Sequence, residues 1–334
     1  MERFGVYSII DAHCHLGNIL FRGGGSLIPL KGVRKRPVFD PLAISEIFSY
    51  RWSFPDRLFA RLFPRITITA QCARNALGTH ENLRRSMGDE GISLSVCMPV
   101  PPHVTGEDIL NVHERDPSVI PFTGVDFTKH YDMAAWFARD VGRGARGLKL
   151  HPILQGVSLD SVRTFEAVDA FASHGLPVLF HCGVCSYYHR AERGREVPRY
   201  GKACHAARLV REFPNVKFIV GHAGLDDVHD VVDQLAMFPN VWVETSFQGP
   251  QVIRGLAGVF GPGKVLFASD WPWGSRSAAI RAVKLACRGD RGLEQRIFCI
   301  NAASLMNIPL LGDGSKTAAA AMEGNPGPSS RRAV

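Results

Sequence analysis

The chain has 334 residues, 46% hydrophobic and 21% charged, which suits one large globular domain or two ordinary ones. It contains no run of about 18 apolar residues, so no membrane-spanning helix is expected. The N-terminus lacks the basic start, apolar stretch and small-residue cleavage site of a secretory signal. Eight scattered cysteines show no small-domain disulfide framework, so free thiols and a cytoplasmic location are expected. Cys182 and Cys185 are the close pair and read as incidental thiols. The net charge of +8 is unevenly spread: residues 17–78 hold ten Lys or Arg against three acids. Such a stretch can attract an anionic substrate or be solvated surface. It lacks the aromatic–basic interleaving of a nucleic-acid module, so no nucleic acid is expected as partner.

In chain order, a first strand is read at residues 7–13 and runs into Asp11-Ala12-His13-Cys14-His15. Alternation along a strand puts Asp11, His13 and His15 on one face. Two imidazoles so spaced can turn toward one metal ion; two hydrogen-bonded histidines at a strand end would look the same. Residues 17–78 then interrupt any regular pattern. Gly23-Gly24-Gly25 makes a turn, and Asp40-Pro41 starts a helix through Tyr50. A further helix starts near Trp52, with Leu58, Phe59, Leu62 and Phe63 as its apolar stripe. This helical insert directly follows the His-x-His strand. It therefore reads as a lid over a site or as the interface of a homo-oligomer.

From Thr79 onward strands and helices alternate. Strands are expected at 92–98, 119–125, 145–150, 178–180, 216–220, 241–243 and 265–268. Helices are expected at 79–88, 106–115, 131–142, 160–173, 201–212, 226–237, 250–259, 275–287 and 291–305. Eight strands, each followed by a helix, predict an α/β fold with parallel strands, a (β/α)8 TIM barrel, rather than an open dinucleotide-binding sheet. Residues 1–311 are expected to form a single barrel domain and 312–334, rich in Gly, Ser, Ala and Pro, a disordered tail.

In such barrels the active site lies at the C-terminal ends of the strands. There the chain puts His13 and His15, Lys149 and His151, His181, His222 and Asp270. Three imidazoles and a carboxylate make a sound donor set for Zn2+ or another divalent ion.

These strand ends also carry a resemblance. Asp-Ala-His-Cys-His, Gly-Leu-Lys-Leu-His-Pro, Leu-Phe-His-Cys-Gly, Gly-His-Ala-Gly and Ala-Ser-Asp-Trp-Pro-Trp-Gly, in that order, are similar to motifs of the amidohydrolase superfamily. They resemble most closely its amidohydrolase-2 branch, which includes aminocarboxymuconate-semialdehyde decarboxylase and the resorcylate-type decarboxylases. The resemblance spans about residues 7–306 and leaves the insert uncovered. It implies that His13, His15, His181 and Asp270 hold the metal, one ion per chain rather than two, and that Asp270 and His222 are catalytic. Lys149 has two readings, a carboxylated bridge between two metals or a partner for a substrate carboxylate, and His151 shares its face. Tyr187, Arg190 and Trp271 are candidate contacts for an anionic or aromatic small molecule. The implied activity is hydrolysis of an ester, lactone, amide or related carbonyl. Decarboxylation at the same site is the alternative, and a barrel kept as a binding scaffold is a third.

Overall fold

Short apolar runs rich in Val, Ile, Leu and Phe form the staves, as expected for strands buried on both faces. In the computed structural model, which describes residues 9–37, 39–49 and 62–309, they are β1 (Ile10–Cys14), β2 (Leu94–Cys97), β3 (Val119–Pro121 and Thr123–Gly124), β4 (Leu148–Leu150), β5 (Val178–Phe180), β6 (Phe218–Val220), β7 (Val241–Glu244) and β8 (Val265–Leu266). Each pairs in parallel with the next. The continuous strand expected at 119–125 is divided at Phe122. Pro121 has no N–H for the ladder, and the chain passes from β2 to β4 through Phe122 N to Cys97 O (3.1 Å) and Thr123 N to Gly147 O (2.9 Å). Ala12 N donates to Phe267 O at 2.9 Å, and a parallel bridge joins Cys14 to Trp271. These contacts close β8 onto β1, so the barrel expected from the alternation is the observed fold.

Residues from opposite sides of the ring meet in one core cluster: Ile10 and Ala12 of β1, Leu179 of β5 and Ile219 of β6, with Ala302 and Leu305 from the final helix. That cluster fills the barrel interior. The surrounding helices begin at polar caps. Thr79 caps His80–Glu90, Ser161 caps Val162–Ala172 and Ser275 caps Arg276–Cys287; Thr105 and Asp108 form a reciprocal capping box. The helix expected at 291–305 is helical throughout but opens into a π turn at Arg296–Ile300. Among the described residues no helix is long and apolar enough to cross a membrane.

One local expectation is corrected. β1 does not keep simple alternation, because its register against β2 shifts between Asp11 and Cys14. A bulge re-aims side chains. Asp11 therefore does not share the face of His13 and His15. It bonds Arg276 (Nε to Oδ2, 3.0 Å), on the helix packed outside the barrel, together with Ser269 N (2.9 Å) and Oγ (2.5 Å).

The insert after β1 includes a 3-10 turn at Gly24–Leu27 and helices at Pro41–Ser49 and Pro64–Asn75. Gly24 must be glycine, since a Cβ there would sit 1.8 Å from Asn18 O. Among its basic residues, Arg74 is not surface. Its buried guanidinium takes Asp40 (Nε to Oδ2, 2.8 Å), Glu46 (2.5 and 3.2 Å) and the Trp273 carbonyl beyond β8. The insert is thus pinned to the loop at the barrel mouth. The expected stripe at Leu58 and Phe59, the end of the first insert helix at Tyr50 and the tail 312–334 lie outside the described residues; Leu62 and Phe63 are exposed.

Candidate metal and catalytic site

After the bulge, β1 delivers His13 and His15 into the barrel mouth, both buried. Each ring is oriented by what its Nδ1 meets. His13 Nδ1 donates to Glu244 Oε1 at 2.8 Å, and His15 Nδ1 to the Met98 carbonyl at 2.9 Å. Neither partner can donate, so each neutral imidazole presents a lone pair at Nε2. Those two Nε2 atoms face one another at 3.2 Å. Asp270 Oδ1 lies 3.6 and 3.4 Å from them and is buried without a hydrogen-bond partner.

The same logic repeats across the mouth. His181 Nε2 lies 3.1 Å from the Gly183 carbonyl and donates to it, leaving a lone pair on Nδ1. His222 Nδ1 donates to Ser246 Oγ at 2.6 Å, and Ser246 Oγ in turn donates to Glu244 Oε1 at 3.0 Å. The lone pairs of His222 Nε2 and His181 Nδ1 then meet at 3.1 Å. Lone pairs opposed at such distances, with an orphaned carboxylate oxygen, fit a cation between them. Lys149 Nζ lies 2.9 Å from His13 Nε2, and no hydrogen bond joins it to the other three nitrogens.

The electrostatics agree. Burial, and after it the Lys149 charge, holds His13 and His15 well below the usual imidazole range and takes His181 down to about 3. Burial likewise lowers His222, against the pull of Glu244. These rings are neutral and available as ligands. Burial lowers Lys149 to about 8 even though Asp270 and Glu244 oppose the shift, and it raises the Asp270 carboxyl well above its usual value. A divalent cation would relieve the second strain, since it favours an ionised carboxylate, and its charge would press Lys149 further toward the neutral amine.

Backbone strain gathers at the same residues. His222, Ala223 and Leu225 have φ of 56°, 44° and 53°, and Asp270 has 55°. Left-handed conformations at non-glycine residues cost about 1–3 kcal/mol each and persist where surrounding structure holds them. Here Glu244 Oε1 accepts the His222 N–H at 2.5 Å, Gln248 Nε2 donates to the His222 carbonyl at 2.7 Å, and Asp270 N donates to His13 O at 2.9 Å.

Of the residues singled out from sequence, His13, His15 and Asp270 come together most tightly, with donor atoms within 4.8 Å of one another. His181 is outside that group, against His222 and stacked on His151 with ring centroids 4.5 Å apart. Tyr187 is buried, its hydroxyl 3.3 Å from His151 Nε2 and 3.4 Å from His181 Nδ1. Arg190 is exposed at the start of a 3-10 helix. Trp271 is buried with Arg276 5.3 Å over its ring, and its carbonyl takes the His15 N–H at 2.7 Å. Trp273, not Trp271, packs edge-on against Tyr187 at 5.6 Å. Glu244, which directly follows the strand expected at 241–243, is a site residue that the motifs do not single out. A carboxylate closing an apolar strand was the available signal.

Residues 102–308 match a family model described as Amidohydrolase. His13 and His15 precede the matched part. No curated protein sequence matches the chain. Among solved structures, an uncharacterised TIM-barrel protein from Bordetella bronchiseptica is 16% identical with a TM-score of 0.61, covering 90% of this chain and 99% of its own. A 5-carboxyvanillate decarboxylase from Novosphingobium aromaticivorans, complexed with manganese and 4-hydroxy-3-methoxy-5-nitrobenzoic acid, is 16% identical with a TM-score of 0.61, covering 90% and 96%. A probable 2-pyrone-4,6-dicarboxylic acid hydrolase from Acinetobacter baumannii is 14% identical with a TM-score of 0.56, covering 90% and 99%.

Proposed function

The chain belongs to the amidohydrolase family, in its amidohydrolase-2 branch, and from that premise we propose that it is a metal-dependent hydrolase of a small carbonyl substrate bearing an anionic or aromatic group. The observation that carries the reading is that His13 Nε2 and His15 Nε2 turn their lone pairs toward one another, 3.2 Å apart, beside an orphaned Asp270 oxygen. His13, His15 and Asp270 would hold one zinc or other divalent ion, with His181 joining through Nδ1. Such an ion supplies Lewis acidity and lowers the pKa of a water molecule. Asp270 takes up the proton of the attacking water. His222, fixed through Nδ1 by Ser246 and Glu244, offers Nε2 to the substrate oxygen or to the proton in transit. Lys149 and Tyr187 face the substrate. The insert, pinned at Arg74, serves as lid.

Metal analysis of the purified protein is expected to give one ion per chain. Chelation should abolish turnover of an ester and lactone panel, and His13→Ala should fail to retain the ion. Full turnover by a chelated, metal-free sample would sink the reading. Decarboxylation of an aromatic or enoic carboxylate is the second reading, favoured by the likeness to a manganese-containing decarboxylase. Release of CO2 without uptake of ¹⁸O from labelled water selects it over hydrolysis.

A further inference from the structure

The turn that follows β7 puts one aromatic ring into solvent. Thr245, Ser246 and Gln248 are buried, whereas Phe247 among them is 47% exposed and has a φ of 62°. A bulky side chain rarely accepts a left-handed backbone, because its Cβ crowds the following carbonyl. Here the conformation is imposed from both sides. Ser246 N donates to Glu244 Oε2 at 2.6 Å, and Ser246 Oγ to Glu244 Oε1 at 3.0 Å. Gln248 N donates to Thr245 O at 3.1 Å, and Gln248 Nε2 to the His222 and Leu225 carbonyls at 2.7 and 3.0 Å. The bonds that fix His222 therefore also fix Phe247.

The ring so placed sits beside the buried His222, with centroids 5.5 Å apart and planes tilted at 53°. It also meets the loop after β8: a Cβ on Gly274 would lie 3.3 Å from Phe247 Cε1 and 2.1 Å from Ser269 O. Trp273, just before that glycine, packs on Tyr187, whose hydroxyl is 3.3 Å from His151 Nε2. Phe247, Trp273 and Tyr187 thus form an aromatic arc around the imidazoles, from β7 past β8 to the loop after β5. Trp273 and Tyr187 are buried; of the three, Phe247 alone shows its ring to solvent. A half-exposed ring adds little to folding, and a strained turn subtracts from it. Strain kept for an exposed side chain beside a reactive group points to function.

We infer that Phe247 is a specificity-determining residue, whose free ring face packs on an apolar substituent carried next to the reacting carbonyl. In the functional reading above, His222 offers Nε2 to the substrate oxygen. A group attached to the same carbonyl comes to rest beside His222, where the Phe247 ring is held. The inference rests on that reading and deepens it, because it assigns the substrate an apolar substituent on the β7 side of the mouth.

The test is calorimetric titration of the zinc-loaded protein with acetohydroxamate and with hexanohydroxamate. The two share a metal-binding head and differ in the apolar group beside its carbonyl. Hexanohydroxamate is expected to bind at least about tenfold tighter. Phe247→Gly removes the ring and suits a left-handed backbone, so it should erase most of that advantage with zinc retained. Its Tm should equal or exceed that of Phe247→Ala, the reverse of the usual order, because alanine keeps the strain. Equal affinity for the two hydroxamates in the unaltered protein, or an advantage that survives in Phe247→Gly, overturns this inference alone. So does a Phe247→Gly protein less stable than Phe247→Ala, since the turn would then hold no strain. A protein that retains no zinc, or a zinc-loaded protein that binds neither hydroxamate, overturns the inference together with the functional reading.

Discussion

Glu244 Oε1 accepts the ring N–H of His13 at 2.8 Å from a position 231 residues away, and the same oxygen accepts the backbone N–H of His222 at 2.5 Å. One buried carboxylate thereby sets the tautomer of a proposed metal ligand and holds the strained turn that carries the proposed proton carrier. Its other oxygen takes the Ser246 N–H at 2.6 Å, so it has no freedom to rotate away.

Glu244→Gln keeps the shape but removes the charge and lets the amide present N–H toward His13. Partners of this kind cost about 10–100-fold in metal affinity when replaced. Equilibrium dialysis of zinc against a competing chelator should show that loss. An affinity equal to that of the unaltered protein would mean that His13 is oriented by something else.

The Asp11–Arg276 pair is a second buried tie, with both side chains at or below 1% exposure. Arg276 also reaches Ser95 Oγ (2.8 Å) and Cys14 Sγ (3.2 Å). Arg276→Met should destabilise the fold by about 3–5 kcal/mol, because it strands a buried carboxylate. Asp11→Asn combined with Arg276→Met should recover part of that loss. Urea denaturation of the three variants measures the coupling, and simple additivity of the single losses would show that the two residues act independently.

Arg74 joins the insert to the loop after β8 through Asp40, Glu46 and the Trp273 carbonyl. Arg74→Met should loosen the insert more than the barrel. Limited proteolysis is expected to cut within 17–78 earlier, with zinc content retained. Loss of zinc in step with proteolysis would show that the insert also supports the metal.

A surface contact carries the pH prediction. Burial pushes the Asp116 carboxyl up, but hydrogen bonds from Ser118 and His80 outweigh it and leave the group below its usual value. A depressed carboxyl adds stability above its unfolded pKa and loses it as pH falls through the folded one. The contribution is therefore present at neutral pH and fades below about pH 4. Asp116→Asn should lower Tm at pH 7 by more than at pH 3. An equal drop at both would place the effect in packing rather than charge.

Much of this molecule is legible in one dimension. Apolar runs of strand length, separated by capped amphipathic helices, count out the barrel, because the strand and helix periods are local properties of the chain. The rule that such barrels work at their strand ends then singles out His13, His15, Lys149, His151, His181, His222 and Asp270, all of which the fold brings to the mouth. Three matters were decided only in three dimensions. The bulge in β1 sends Asp11 outward, since register depends on what β2 offers opposite. Glu244 becomes the orienting carboxylate only once β7 and β1 are closed into one ring. Arg74 looks like one more charge in a basic insert until Asp40, Glu46 and the Trp273 carbonyl surround it. Each is a pairing between side chains distant in sequence, and no local pattern encodes which buried polar group will meet which. The need to satisfy every such group within a closed barrel makes that choice.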